Sequence, residues 1–125
     1  MIHGIGVDLV EVARLRALHA RYGERLACRI LAPEEMPEYA DAREPERFLA
    51  KRFAAKEAFA KAVGTGLRAP VSLSAIRIGH DPLGRPDFHC ADTLDAWLRA
   101  RGIGRVHLSI SDEREHIVAF AVAEP

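Results

Sequence analysis

EPERFLAKRFAAKEAFAKAVG, running from Glu44 to Gly64, is the longest helical signal in the chain. Pro45 and two acids open it, as suits the first turn of a helix. Gly64 stands where a C-terminal cap belongs. At about 100° per residue, Phe48, Leu49, Phe53, Phe59, Ala60 and Val63 gather in an arc of roughly 140°. The other side is mostly alanine (Ala50, Ala54, Ala55, Ala58, Ala62), which permits close approach by neighbours. Such a helix belongs inside a protein, yet the stripe is broken. Arg52 and Lys56 fall within the apolar arc, and Glu57 and Lys61 lie at its edge. Two readings are open. Long stems can cover apolar surface while their charges reach water, and Glu57 with Lys61 can be an ordinary surface pair. Alternatively the edge lines an anion site, where Arg52, Lys56 and Lys61 meet phosphates and Glu57 holds a metal.

Outward from this helix, both flanks read as strands and shorter helices. Ile2 to Val10 alternates, with Ile5, Val7 and Leu9 on one face and Gly6, Asp8 and Val10 on the other. Asp8 is an acid in an otherwise apolar strand. It is either an exposed or backbone-bonded residue, or one of the one or two carboxylates that Mg²⁺ commonly takes when bound to substrate phosphates. From Glu11 to about Arg25 the period is helical. Val12, Leu15 and His19 share one side, and Arg14, Leu18, Arg21 and Arg25 share another. Pro33-Glu34-Glu35 reads as a helix first turn, cut short by Pro37. Leu73 to Ile78 is strand-like, residues 81–86 form a turn, and Asp87 to Cys90 is a short return strand. Asp92 caps a helix over Thr93 to Arg101, closed by Gly102. Val106 to Ser111 and His116 to Ala123 form a hairpin around Asp112-Glu113-Arg114-Glu115. The expected class is α+β, a long buried helix packed on a small, mostly antiparallel sheet in one domain spanning residues 1–125.

The composition is that of a soluble globular protein, with 49% apolar and 29% charged residues. Eighteen basic residues balance eighteen acidic ones, so no global field attracts nucleic acid, and no aromatic stacking series accompanies the cations. Cys28 and Cys90 lack metal-ligand spacing, and two plain thiols suit a reducing cytosol. No signal peptide and no bilayer-length apolar run is present, so the expected location is cytoplasmic and away from the membrane.

Two segments together resemble the signatures of the holo-acyl-carrier-protein synthase family, short single-domain phosphopantetheinyl transferases. The first is Gly4-Ile5-Gly6-Val7-Asp8-Leu9-Val10-Glu11 with Arg14. The second is Arg52-Phe53-Ala54-Ala55-Lys56-Glu57-Ala58, then Lys61-Ala62 and Gly64-Thr65-Gly66. Gly84-Arg85-Pro86 and the strand His107 to Ser111 extend the likeness over nearly the whole chain. The resemblance implies the 4′-phosphopantetheinyl transferase fold. It also implies transfer of the phosphopantetheine arm of coenzyme A to a serine of an apo-acyl carrier protein, in support of fatty-acid synthesis. By the same resemblance Asp8 and Glu57 hold Mg²⁺ and Lys61 offsets phosphate charge. Glu57 is a candidate for the serine proton, directly or through a metal-bound water. Arg52, Lys56, Gly64, Thr65, Gly66, Gly84, Arg85, Pro86 and His107 are the expected coenzyme A contacts. For Gly64 the alternative is a plain helix cap, for Gly84-Arg85-Pro86 a plain turn, and for His107 a structural hydrogen bond. Asp112 stands where many relatives carry histidine.

The resemblance makes the helix bearing Arg14, Leu18, Arg21 and Arg25 the dock for an acidic carrier protein, and a basic stripe around a leucine is complementary to such a partner. A solvated helix face is the alternative. It further implies a homotrimer with active sites between subunits. Two competing functions are the same chemistry on carriers of polyketide or peptide assembly, and a non-catalytic module that binds coenzyme A or another protein.

Overall fold

The computed structural model describes residues 1–125. In chain order the elements are β1 (Gly4–Glu11), α1 (Val12–Tyr22), α2 (Glu24–Ile30), α3 (Met36–Ala40), α4 (Pro45–Ala62), β2 (Ile76–His80), β3 (Pro86–Cys90), α5 (Asp92–Ala100), β4 (Arg105–Asp112) and β5 (His116–Glu124). Short 3₁₀ turns at Pro33–Glu35 and Leu73–Ala75 complete the set.

The alanine-rich side of α4 decides the packing. Strands β1, β5 and β4, in the order β1-β5-β4 and all antiparallel, lie against this helix. The approach of β1 is so close that only glycine fits. A Cβ at Gly6 would stand 2.1 Å from the Ala58 carbonyl oxygen, and one at Gly4 would stand 2.2 Å from that of Ala62. Ala119, Ala121 and Ala123 of β5 are small for the same reason and fully buried. The opposite side of α4 packs on α1, α2 and α3, so the helix is covered nearly all round. Phe59, fully buried, meets Phe88 of β3 edge-to-face at 4.9 Å and ties the β2–β3 hairpin to the core. No helix is long and apolar enough to cross a membrane.

The expected α+β class holds, with three changes of detail. Asp92 is the first residue of α5, not its cap: Ala91 stands at the N-cap and no side chain caps the helix. The helix expected over residues 11–25 is broken at Gly23, whose φ of 56° lies in the left-handed region that glycine enters freely. Arg25 therefore belongs to α2, not to the helix of Arg14. The strand expected from Leu73 begins only at Ile76, after a 3₁₀ turn. Facing is the larger finding. The glycines, Asp8 and Val10 of β1 look inward, while Ile5, Val7 and Leu9 remain 60%, 53% and 63% exposed.

Candidate active site

Two neighbouring elements bring three predicted residues together. The inward face of β1 carries Asp8 two residues beyond Gly6, so the strand that rests on Ala58 also delivers a carboxylate beside α4. Lys61 extends from α4 and donates to the Val7 carbonyl at 2.9 Å and to Asp8 Oδ1 at 3.2 Å. Glu57 lies one turn earlier on α4. Partial burial pushes its carboxyl above the ordinary range, the nearby charge of Asp8 adds to this, and Lys61 opposes both. Two acids thus lie near one ammonium, which bonds Asp8 alone, and a surplus of negative charge sits at the surface between β1 and α4.

Such a pair fits a divalent cation. Hard carboxylate oxygens suit Mg²⁺, which usually takes one or two protein carboxylates and completes its shell with water and substrate phosphates. No third histidine, cysteine or acid joins Asp8 and Glu57 in a metal-binding cluster. Lys61 is half exposed, so its ammonium is accessible to an anionic ligand.

Arg52 and Lys56 are placed elsewhere. Lys56 is wholly buried and donates to Glu35 Oε1 at 2.5 Å, to the Ile30 carbonyl at 2.8 Å and to the Leu73 carbonyl at 2.9 Å. Three acceptors occupy all three N–H groups of an ammonium. Arg52, 4% exposed, donates to Glu35 Oε2 at 2.8 Å and to Glu38 at 3.0 Å, and it stacks on Phe48. Lys56 has no donor left for coenzyme A, Arg52 is committed to two carboxylates, and neither snorkels to water. The expected phosphate contacts are corrected to a buried ionic network. Its centre is Glu35, a residue that the sequence reading treated only as part of a helix first turn. Its two oxygens also accept from the Ala32 and Ile78 N–H groups. Burial works to raise the Glu35 carboxyl, but the Lys56 charge and these hydrogen bonds outweigh it and hold it below the ordinary range.

Gly64 and Gly66 have φ of 90° and 66°. The Thr65 and Gly66 N–H groups both donate to the Ala60 carbonyl, so this loop does cap α4. Gly84, with φ of 87°, sits in the β2–β3 turn. Arg85, Pro86 and His107 come together around a groove of about 380 Å³, floored by Phe59, Phe88 and Leu108. His107 shares the outward face of β4 with Ser109 and Ser111, and its Nε2 stands 3.3 Å from Glu124. Asp112 has a structural partner set. Arg47 donates to it at 2.6 Å and also to the Glu113 and Arg114 carbonyls, while Lys51 lies 3.3 Å away. Slight burial would raise the Asp112 carboxyl, but bonds from Arg47 and Lys51 leave it below the ordinary range. Arg14, Arg21 and Arg25 are exposed and Leu18 is half-buried. Arg21 and Arg25 both lie over the Tyr22 ring, at 5.2 and 6.0 Å.

A family model described as the 4′-phosphopantetheinyl transferase superfamily matches residues 4–121. The chain is 62% identical over 124 residues to the holo-[acyl-carrier-protein] synthase of Laribacter hongkongensis, covering 99% of both. It superposes on the crystal structure of the Neisseria meningitidis holo-[acyl-carrier-protein] synthase with a TM-score of 0.97, at 54% identity and full coverage of both chains. A Bacillus anthracis holo-(acyl-carrier-protein) synthase, solved in complex with CoA (3′,5′-ADP), matches with a TM-score of 0.81 at 36% identity, covering 99% of this chain and 97% of that one.

Proposed function

Because this chain belongs to the 4′-phosphopantetheinyl transferase superfamily, we propose that it transfers the phosphopantetheine arm of coenzyme A to a serine of apo-acyl carrier protein, releasing adenosine 3′,5′-bisphosphate. The observation that carries the reading is the cluster of Asp8, Glu57 and Lys61. The serine oxygen forms a bond to the β-phosphorus as the bond to the bridging diphosphate oxygen breaks. Asp8 and Glu57 would hold Mg²⁺, which would neutralise diphosphate charge. Lys61 turns from Asp8 toward a phosphate oxygen and offsets the charge left on the nucleotide. Glu57 is the candidate acceptor for the serine proton, directly or through a water.

The groove lined by Arg85, Pro86 and His107 takes the nucleotide end of coenzyme A. Arg14, Leu18, Arg21 and Arg25 receive the acidic carrier. The protein works in the cytoplasm as a homotrimer, supplying holo-carrier for fatty-acid synthesis. Two free thiols suit that compartment. The trimer is supported by the sheet's uncovered outer face, where Ile5, Val7, Leu9 and Phe120 are exposed. It is also supported by the site's division between opposite sheet edges, with Asp8 on β1 and His107 on β4.

The test is mass spectrometry of apo-carrier incubated with the protein, coenzyme A and Mg²⁺. A gain of one phosphopantetheinyl group is expected, and Asp8→Ala and Glu57→Ala should each lower the rate at least about a thousandfold. No gain with several carriers, with Mn²⁺ tried as well, would leave a binding module in its place.

A further inference from the structure

We propose that Asp81 is a positioning residue for coenzyme A, because it builds the turn that presents Arg85 and Pro86 to the nucleotide groove. The inference rests on the reading of that groove as the coenzyme A site. Asp81 follows the last residue of β2, and Pro86 is the first of β3. The carboxylate oxygen Oδ1 of Asp81 accepts from the backbone N–H of Leu83 and from that of Arg85, each at 2.9 Å. The Asp81 carbonyl accepts the Gly84 N–H, and the Asp81 N–H donates to the Arg85 carbonyl, again at 2.9 Å each. Every one of these bonds ends on Asp81, and Pro82 has no N–H to offer. Gly84 supplies the left-handed step the turn requires.

Nothing else holds the segment. Pro82, Leu83, Gly84 and Arg85 are all exposed, and Leu83 is 95% so. Its shape comes from hydrogen bonding and not from packing. Arg85 takes part in none of the chain's ion pairs, so its guanidinium is available to an anion. A turn fixed in advance spares the cost of ordering the backbone that carries this side chain when ligand binds. The choice of an acid is informative. Asp81 lines the same groove as Arg85, and its negative charge there opposes an anionic ligand. What it contributes is an oxygen that accepts two N–H bonds at once.

That distinction sets the test, in which coenzyme A is varied at saturating carrier. Asp81→Ala should raise KM for coenzyme A about tenfold and leave kcat within about twofold. Asp81→Asn keeps an oxygen at the same place and should hold KM within about twofold of the parent. Gly84→Val strains the same turn from a second position and should raise KM as Asp81→Ala does. A native KM in Asp81→Ala would overturn the proposal. An Asn variant as weak as the alanine one would also do so, by showing that charge matters and not the acceptor. A matching fall in kcat, or a lowered unfolding midpoint that tracks the loss, would mark a general structural role. Arg85→Ala is measured alongside. If its KM is native, the groove reading itself fails. If its KM rises while Asp81→Ala stays native, only the positioning role fails.

Discussion

Glu35 has no exposed surface, yet it is the acid on which two cations of α4 converge. Each of its oxygens accepts one cationic and one backbone N–H. The carboxylate thereby joins the Pro33–Glu35 turn to α4 and β2. Removing one partner of a buried pair leaves the other charge uncompensated, which typically costs about 3–5 kcal/mol. Lys56→Met should therefore destabilise the fold by about 3 kcal/mol in urea unfolding, near the lower bound because Arg52 remains. The folded Glu35 carboxyl is held below its ordinary value. Its contribution is thus complete above the unfolded carboxylate pKa and is lost as pH falls through the lowered folded one. Glu35→Gln should accordingly flatten the acid limb of a stability–pH curve. A Lys56→Met protein with native stability and a raised KM for coenzyme A would return Lys56 to the phosphate site. The helical pattern of α4 exposed Arg52 and Lys56 as misplaced, because the violation is local. Their partner lies 17 and 21 residues away in a segment with no periodicity, so nothing along the chain connects them. Asp8 with Lys61 was legible for the opposite reason. Both positions are conspicuous in their own elements, and only their meeting across 53 residues required the fold.

At the scale of elements, α4 and the final hairpin were readable to within a residue or two because their periods are unambiguous. The break at Gly23 was not, since the basic stripe continues across it. The break divides the basic residues proposed to receive the carrier. Arg14 projects from α1, whereas Arg25 belongs to α2, and Tyr22 at the joint collects Arg21 and Arg25 on its ring. Arginines near an exposed aromatic ring make a surface suited to acidic side chains around an apolar spot. Arg14 makes no ion pair within the chain. Arg14→Glu should lower kcat/KM for the carrier by about tenfold or more, with KM for coenzyme A unchanged. The loss should shrink as salt rises, because charge steering is screened. Native carrier kinetics at low salt would remove α1 from the docking surface. The hairpin tip is tied to α4 by Arg47, which spans Asp112, Glu113 and Arg114. That tie gives Asp112 a structural task where the family resemblance leads one to look for histidine.

Across the whole molecule, the sheet has one face on α4 and one on solvent, and on β1 it is the solvent face that carries the large apolar side chains. On β1 the covered face carries Gly4, Gly6 and Asp8, while Ile5, Val7 and Leu9 face outward. Val118, Phe120 and Val122 of β5 are on that same outer side, in register with Leu9, Val7 and Ile5. Alternation alone shows which residues share a face but not which face meets the core. Here backbone contact with α4 decided it, because only glycine can stand so close to a helix carbonyl. A contiguous apolar surface of this kind marks an interaction site. The two halves of the proposed site also sit on the sheet's opposite edges. Strand β5 separates β1 from β4, which puts Asp8 and His107 roughly 10 Å apart across the sheet. They are offset along it as well, since Asp8 is in register with Ala119 and Ile110 while His107 is in register with Val122 and Ile5. If copies associate through the outer face, the acid pair of one subunit can meet the nucleotide groove of the next. Val7→Glu places a charge opposite Phe120 at the centre of that face. Sedimentation should then show the mass of one chain where the parent shows three, with transfer activity lost and helix content retained. A parent that sediments as a monomer and stays fully active on dilution would mean that one subunit carries a complete site and that the outer face serves another partner.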